Sequence, residues 1–467
     1  MQQISTKKIA FIGIGISNLN VINLIIEKCK NPSNLYILDS DDRISSNKHV
    51  LKLTQLGVNL ICGKNYLQNL INFDIIIRSP GVYFYKPEIQ NAIKSGVVVT
   101  SELELFFNFC PCQIVAVTGS DGKTTTTSLI AEMLKNQGFK VHLGGNIGQP
   151  LFSKIEEIEP SDMAVVEISS FQLISMRKSP NIAIITNISP NHLDVHKNME
   201  EYIAAKLNLI AHQSAFDFAV LNANNEFVEK CERETRSFVK KFSSQTEVEN
   251  GAFLSPLDRS TIFYSKNSNK TPVLKVDEIA LPGMHNIENY LAAISAVFEM
   301  VSIDAIKKTA KNFKGVNHRL EFVMEANEVK WFNDSIATTP TRTIAALECF
   351  KRGKIILIAG GYDKKISFDN LAEKILEKVR VLILLGATAQ KIERCLKNCP
   401  NFENTTNFTL KHVQTMEQAI DLANELSVKD DSVVLSPACA SFDMYKNFEE
   451  RGLAFKNILI KKFNISK

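Results

Sequence analysis

The stretch Ala116-Val117-Thr118-Gly119-Ser120-Asp121-Gly122-Lys123-Thr124-Thr125 decides how this chain is read. The apolar run from Gln113 to Val117 predicts a buried strand, and the helix-compatible run from Thr124 to Gln137 predicts the helix that follows. Between them Gly119 and Gly122 let the backbone turn tightly and approach a ligand closely. A helix that starts here aims its unpaired amides, its dipole and the Lys123 ammonium at one spot, and all three favour negative charge. That spot suits phosphate, and the Thr124 hydroxyl is placed to ligand Mg²⁺. A strict phosphate-loop pattern has Gly five residues before Gly122, where this chain has Val117, so the turn is the shorter Gly-x-x-Gly-Lys-Thr form. Use of ATP or GTP follows.

Working outward, 467 residues are too many for one core and imply two to four domains. Hydrophobic content of 45%, charged content of 22% and a net charge of +4 are ordinary for a globular protein. So mild a balance argues against nucleic acid as a partner. No apolar run has the length of a bilayer span, and Met1 to Lys8 leads into a strand without a signal-like apolar region. These features predict a cytoplasmic protein without membrane insertion. Nine scattered cysteines, with close pairs at Cys110/Cys112 and Cys395/Cys399, complete no zinc set and read as reduced thiols.

Short β-branched runs alternate with helical patterns, the sequence form of parallel α/β sheets. Predicted strands run from Lys8 to Gly13, Leu35 to Asp39, Asn59 to Cys62, Asp74 to Arg78 and Val97 to Thr100. A second block opens at Gln113 and continues at Val141, Met163, Ile182 and Phe218. From about Glu229 to Pro282 polar residues dominate, and short pieces at Thr261 and Val273 predict a small β-rich insertion or sheet extension. A third block from Val316 predicts another parallel sheet with strands at Val329, Lys354, Arg380 and Ser432. The expected fold class is α/β in three domains. These are a Rossmann-like N-terminal sheet (1–110), a central P-loop-type ATPase domain with a small β-rich extension (111–313), and a C-terminal Rossmann-like domain (314–467). Ligands of such sheets bind beyond the carboxyl ends of the strands.

Several motifs sit at those ends. Gly13-Ile14-Gly15 opens a Rossmann-like turn toward a helix near Ser17, with Asn18 in place of the third glycine. Asp39 ends the next strand, where an acid accepts from a sugar hydroxyl. Arg78-Ser79-Pro80-Gly81-Val82 follows another strand at the same edge. A nucleotide-diphosphate site, NAD or a bare structural turn all fit these residues. Glu167 closes the Met163 strand and can bind Mg²⁺ directly. His192 and Asp194 lie after Asn187, and Mg²⁺ prefers oxygen, so a hydrogen-bonded loop histidine is the plainer reading of His192. Gly144-Gly145-Asn146 offers close backbone approach with an amide. Lys206, a solitary lysine on a helix from Tyr202 to His212, reads by default as a solvated surface charge. Asn286, before an alanine-rich helix, suits a base, a phosphate or a helix cap.

Taken together, the phosphate loop, Gly-Asn-Ile-Gly, Glu-x-Ser-Ser, Asn-x-x-x-x-His-Leu-Asp, Gly-x-His-Asn-x-x-Asn, His318-Arg319 and Asn333-Asp334-Ser335 resemble the Mur ligase family in identity and order. These are ATP-dependent amide-forming enzymes of peptidoglycan precursor synthesis. Glu167 to Leu173 and Leu435 to Gly452 are similar to the branch that joins D-glutamate to UDP-N-acetylmuramoyl-L-alanine. The Asp-Asn-Pro-Arg run of the diamino-acid-adding branch is absent. The resemblance implies catalytic roles for Lys123, His192, Lys206 and Arg319. ATP contacts are implied for Gly119, Ser120, Asp121, Gly122, Lys123, Thr124, Thr125, Asn286, Arg319 and Asp334. Two Mg²⁺ are implied, held by Thr124, Glu167, His192 and Lys206 as its carbamate. UDP-substrate contacts fall to Ser17, Asp39, Ser79, Gly81 and Asn146, and D-glutamate contacts to Thr338, Lys364, Ser441 and Phe448. A monomer is expected. Ile336 stands where the family commonly has lysine, and Lys364 or Lys365 is the expected substitute. A sister ligase, a nucleotide-dependent switch and an NAD-dependent dehydrogenase are the rival expectations.

Overall fold

The computed structural model describes residues 6–28, 31–148, 150–190, 195–281, 283–364, 366–400, 402 and 407–463. The chain forms two compact units. One comprises Met1–Ala280 with Met284–Phe313, the other Leu281–Gly283 with Lys314–Lys467.

The first unit opens with five strands, β1 (Ile9–Ile12), β2 (Leu35–Asp39), β3 (Asn59–Cys62), β4 (Ile75–Arg78) and β5 (Val98–Thr100). They pair in parallel in the order β3-β2-β1-β4-β5, so the strand order reverses at β1 and β4. Side chains such as Ile9, Phe11, Ile37 and Ile77 bury on one face, and Ala10, Ile12, Leu38 and Ile76 on the other. Burial on both faces is what fills these strands with Ile, Leu and Val instead of an alternating pattern.

A second parallel sheet holds β6 (Gln113–Thr118), β7 (Val141–Gly145), β8 (Met163–Glu167), β9 (Ile182–Ile185), β10 (Phe218–Asn222) and β11 (Phe238–Phe242). Its order β11-β10-β9-β6-β8-β7 puts β6 between β8 and β9. The loop after β6 therefore emerges at the middle of the sheet edge. Phe106 and Leu103 from the first part of the chain share one core with Ile185, Met176 and Tyr202 of the second, so the two sheets belong to one packed body. The helix Lys123–Gln137 packs against the helix Met284–Val297 over the opposite face.

The polar stretch after Glu229 does two things. β11 (Phe-Val-Lys-Lys-Phe) extends the parallel sheet, and β12 (Gly251–Leu254), β13 (Thr261–Lys266) and β14 (Asn269–Lys275) form a separate antiparallel sheet.

The second unit carries β15 (Glu321–Ala326), β16 (Val329–Asn333), β17 (Ile355–Ala359), β18 (Val379–Leu384), β19 (Thr409–His412) and β20 (Ser432–Leu435), in the order β15-β16-β20-β17-β18-β19. The expectation of a wholly parallel third sheet is corrected here, because β15 runs antiparallel to β16. The cause is local. Asn327 and Glu328 both adopt positive φ, 53° and 60°, which closes a two-residue hairpin whose twist matches the strands. Among the described residues no helix is long and apolar enough to cross a membrane.

Candidate functional site

Strand β6 ends at Thr118, and Gly119 and Gly122 then take φ of 154° and 76° before the helix begins at Lys123. A Cβ at Gly119 would overlap the Thr186 hydroxyl, and one at Gly122 would overlap the Asn289 amide oxygen. The loop is thus a bare backbone cradle that any larger residue would fill. Asn187, at the end of the neighbouring strand, fixes its shape. Its side-chain oxygen accepts from the Ser120 and Asp121 amides at 3.1 and 2.8 Å, and its carbonyl accepts from Ser120 at 2.9 Å. The Ser120 and Asp121 N–H groups are therefore engaged within the protein. The first-turn amides from Lys123 onward are the ones that helix geometry leaves without an intrahelical acceptor.

Two ammonium groups converge on this loop. Lys123 Nζ donates to the Gly119 and Ser120 carbonyls at 2.9 Å each. Lys206 Nζ donates to the Gly119 carbonyl at 2.7 Å and to the Thr118 hydroxyl at 3.3 Å. The default of a solvated Lys206 is overturned, since only 1% of the residue is exposed. Its helix, Met199–Leu207, turns Tyr202, Ala205 and Lys206 inward, and the Tyr202 hydroxyl lies 2.9 Å from the Ser120 hydroxyl. Burial, followed by repulsion from Lys123, pushes the Lys206 ammonium well below its ordinary pKa.

Across from the cations, Glu167 pairs in register with Val117 at the carboxyl end of β8 and is 1% exposed. One carboxylate oxygen accepts from the Asn146 side-chain amide at 2.7 Å, and the other has no hydrogen-bond partner among the described residues. A buried carboxylate oxygen without a donor calls for a missing ligand. With Thr124, 7% exposed in the first helical turn, it suits a hard cation that takes oxygen donors. Among the described residues no group of three or more His, Cys, Asp or Glu side chains could hold a metal. His192 and Asp194 lie outside the described residues, as does Lys365. Asn286 is inside the helix Met284–Val297 and not at its cap, 3.4 Å from Asn289 Nδ2.

The N-terminal sheet brings its expected residues to one edge. Asp39 accepts from the Ile14 and Asp41 amides at 2.9 and 3.0 Å, which pins the glycine turn. Ser79 packs against Gly13 and Gly15. Asn18, in the third-glycine position, is fully buried and donates to the Ile12, Gly13 and Ile77 carbonyls, stitching β1 to β4. Ser17 is half-buried at the start of the helix Ile16–Lys28, and Gly81 has open space above it.

In the second unit Asp334 is the hub. It is 4% exposed, and its two oxygens accept from the Leu320 amide at 3.2 Å and the Ser436 hydroxyl at 2.7 Å. Burial outweighs those bonds and raises its pKa to about 6. The first of those bonds holds the segment carrying Arg319. Next to Asp334, Ser335 donates to the Phe448 carbonyl at 2.8 Å. Arg451, 2% exposed, donates to the Ser335 hydroxyl and to the Ser335, Cys439 and Ala440 carbonyls. Ser441 is buried beside this hub, Thr338 is half-buried, and Lys364 is exposed in the loop after β17. The structure thus draws Asp334, Ser441 and Phe448 together around Arg451. Sequence reasoning did not assign Asn187, Arg78, Arg451 or Arg342. Arg342 Nη1 donates to the carbonyl of Ile336 at 3.2 Å and so brings a cation to the position that lacks lysine. An arginine between an apolar strand and a Ser-Pro-Gly turn was the available signal for Arg78, whereas Arg451 follows two glutamates in a helix and carries no such mark.

Comparison with known proteins adds an independent finding. Three family models match in chain order: the Mur ligase MurD-like N-terminal domain over residues 7–101, the Mur ligase middle domain over 117–297, and the Mur ligase glutamate ligase domain over 318–439. The chain is 47% identical over 459 residues to the UDP-N-acetylmuramoylalanine–D-glutamate ligase of Acetivibrio thermocellus, covering 98% of this chain and 97% of that protein. It is 46% identical over 462 residues to the enzyme of the same name from Clostridium tetani, at the same coverage of 98% and 97%. Among solved structures it resembles the UDP-N-acetylmuramate–alanine ligase of Thermotoga maritima, with a TM-score of 0.57 and 21% identity over 98% of this chain and all of that one. That last likeness is one of fold.

Proposed function

This chain belongs to the Mur ligase family, and from that premise we propose that it joins D-glutamate to UDP-N-acetylmuramoyl-L-alanine at the expense of ATP. The likeness over almost the whole chain to D-glutamate ligases carries the choice of substrates. The buried, half-satisfied Glu167 beside a cation-lined backbone loop carries the choice of chemistry.

A carboxylate is a poor acylating agent because oxide is a poor leaving group. In the first step an oxygen of the alanyl carboxylate attacks the terminal phosphorus of ATP. The bond to the bridging oxygen breaks, and ADP leaves. The D-glutamate amine then attacks the carbonyl carbon of the acyl phosphate, loses its proton and expels phosphate to leave the amide. Both steps gather charge on phosphoryl oxygens, so fixed cations and amides do most of the work. Lys123 and the first-turn amides hold the β- and γ-phosphates, and Arg319 acts on the γ-phosphate. Mg²⁺, when bound by Thr124 and Glu167, neutralises phosphate charge. Lys206 is suited to become a carbamate, because the neutral amine favoured by its burial is the form that adds carbon dioxide. As a carbamate it would join His192 on a second ion. A carbamate resonance after exposure to isotope-labelled bicarbonate, lost in Lys206→Ala, checks this. Asn286 and Asp334 hold the adenosine. Ser17, Asp39, Ser79, Gly81 and Asn146 hold the UDP-sugar, and Thr338, Lys364, Ser441 and Phe448 hold D-glutamate. The proposal includes a division into 1–110, 111–313 and 314–467, a monomer, and a cytoplasmic place of work.

The deciding experiment is phosphate release with ATP, Mg²⁺ and UDP-N-acetylmuramoyl-L-alanine, comparing D- with L-glutamate. Release that requires the D-isomer is expected. Equal release with either isomer, or with none, overturns the assignment and favours a nucleotide-hydrolysing switch.

A further inference from the structure

We propose that Arg78 is a positioning residue that locks the uridine-substrate turn to the phosphate-binding half of the first unit. The inference rests on the substrate role proposed above for Ser79 and Gly81.

Arg78 ends β4 and is 1% exposed, one of the largest fully buried side chains among the described residues. Its Nη1 donates to the carbonyls of Ser79 at 3.2 Å, Pro80 at 3.4 Å and Val82 at 2.6 Å, so one nitrogen gathers the entire turn. Its Nη2 points the other way. It donates to the Phe171 carbonyl at 2.9 Å and the Ser175 hydroxyl at 3.0 Å, in the segment that leaves β8 just after Glu167. Among the described residues the guanidinium pairs directly with no carboxylate. Its acceptors are neutral dipoles, and burial lowers its pKa to about 10, against the opposing pull of Glu104. A buried cation is costly, and this one ties its own turn to acceptors 93 and 97 residues further along the chain.

The contact continues toward the phosphate loop. The Phe171 ring stacks on His196 with centroids 5.3 Å apart, and His196 Nε2 lies 2.9 Å from the Ser170 hydroxyl. His196 also packs edge-on against Tyr202, whose hydroxyl meets Ser120 of the loop. A second strut runs in parallel. The Tyr83 hydroxyl, just past the turn, donates to Glu201 at 2.8 Å, one residue before Tyr202. The turn and the phosphate loop are therefore joined through a contiguous set of packed side chains with Arg78 at its root. Lysine cannot reproduce this role, because a single ammonium cannot serve acceptors on two sides as the planar fork does.

The test compares wild type with Arg78→Lys and Arg78→Met. Each is assayed for KM toward UDP-N-acetylmuramoyl-L-alanine, KM toward ATP and kcat, with thermal midpoints measured alongside. The KM for the uridine substrate should rise about 10- to 100-fold, as expected for misplacement of a binding turn, while the KM for ATP moves less than about threefold. Tyr83→Phe, which keeps the guanidinium and removes only the second strut, should show a smaller rise in the same constant. Equal changes in both KM values, or wild-type constants in Arg78→Lys, overturn the proposal. If neither Arg78 variant folds, Ser175→Ala decides, since it strips one acceptor from the fork: a selective rise in the uridine KM supports the lock, and unchanged constants refute it. If wild type fails to make amide at all, the functional reading has failed instead. Calorimetry of UDP binding to wild type and Arg78→Lys then tests the lock separately.

Discussion

The loop after β6 and the loop after β16 are both polar, buried and built around charged side chains, yet they are completed in opposite ways. Around Asp334 every charge has its partners inside the protein: both carboxylate oxygens accept, and Arg451 donates to four acceptors. Around Gly119 the account is left open. Among the described residues one oxygen of Glu167 has no donor, and the Lys123 and Lys206 ammonium groups both reach the Gly119 carbonyl. Burying charge without a partner is costly. The first arrangement satisfies both oxygens of its buried carboxylate, and the second leaves one oxygen of its buried carboxylate open among the described residues.

The contrast breaks most visibly at Lys123. Lys123→Ala should lower kcat by about 10³-fold or more, because a fixed cation is lost where phosphoryl charge develops. Its thermal midpoint should fall far less than its activity, since the hydrogen bonds of the ammonium to the Gly119 and Ser120 carbonyls contribute about 1 kcal/mol each. Steady-state phosphate release with D-glutamate measures the first and scanning fluorimetry the second. Near-normal turnover would mean that the loop does not grip the triphosphate.

Glu167→Gln sharpens the comparison at intermediate size. Neutralising an unpaired buried carboxylate should raise the thermal midpoint in metal-free buffer, by the equivalent of about 1–2 kcal/mol. The same change should remove the further rise that Mg²⁺ with nucleotide gives wild type, and cut kcat about 10²-fold. A variant that is less stable without metal would show that the open oxygen of Glu167 is satisfied within the protein.

The smallest effect belongs to the closed network. The native pKa of Asp334, about 6, lies above the ordinary value of 3.8. The folded state therefore holds that proton more tightly than the unfolded chain does. The resulting stabilisation, at most about 3 kcal/mol, is fully present below about pH 4 and is lost as pH rises through about 6. Asp334→Asn should flatten this part of the pH–stability curve and cost about 1 kcal/mol at low pH through one weakened hydrogen bond. Denaturant titrations between pH 4 and 7 read both, and an unchanged slope would show that the carboxylate stays ionised throughout.

Much of this was visible along the chain. β2, β3 and β16 coincide with the runs predicted for them, because strands buried on both faces are short, β-branched and cut off by turn residues. β15 and β11 were missed for the complementary reason. Glu-Phe-Val-Met-Glu-Ala and Phe-Val-Lys-Lys-Phe lie at sheet edges, where charged residues are tolerated and the apolar signal fades. In the site, Lys123, Thr124 and Glu167 stood out because each is tied to a strand end. Lys206 did not, since no local pattern tells a buried lysine on a helix from a solvated one.

By itself the sequence determined the inner strands of the sheets, the glycine cradle and the family, all of which depend on neighbours a few residues apart or on motifs in fixed order. Only the tertiary structure decided which charges lose their water. It put Lys206 beneath the loop, left an oxygen of Glu167 open and closed Arg78 and Arg451 around carbonyls far off in the chain. Desolvation depends on every element packed around a group, and those neighbours come from strands and helices that the linear order does not place together.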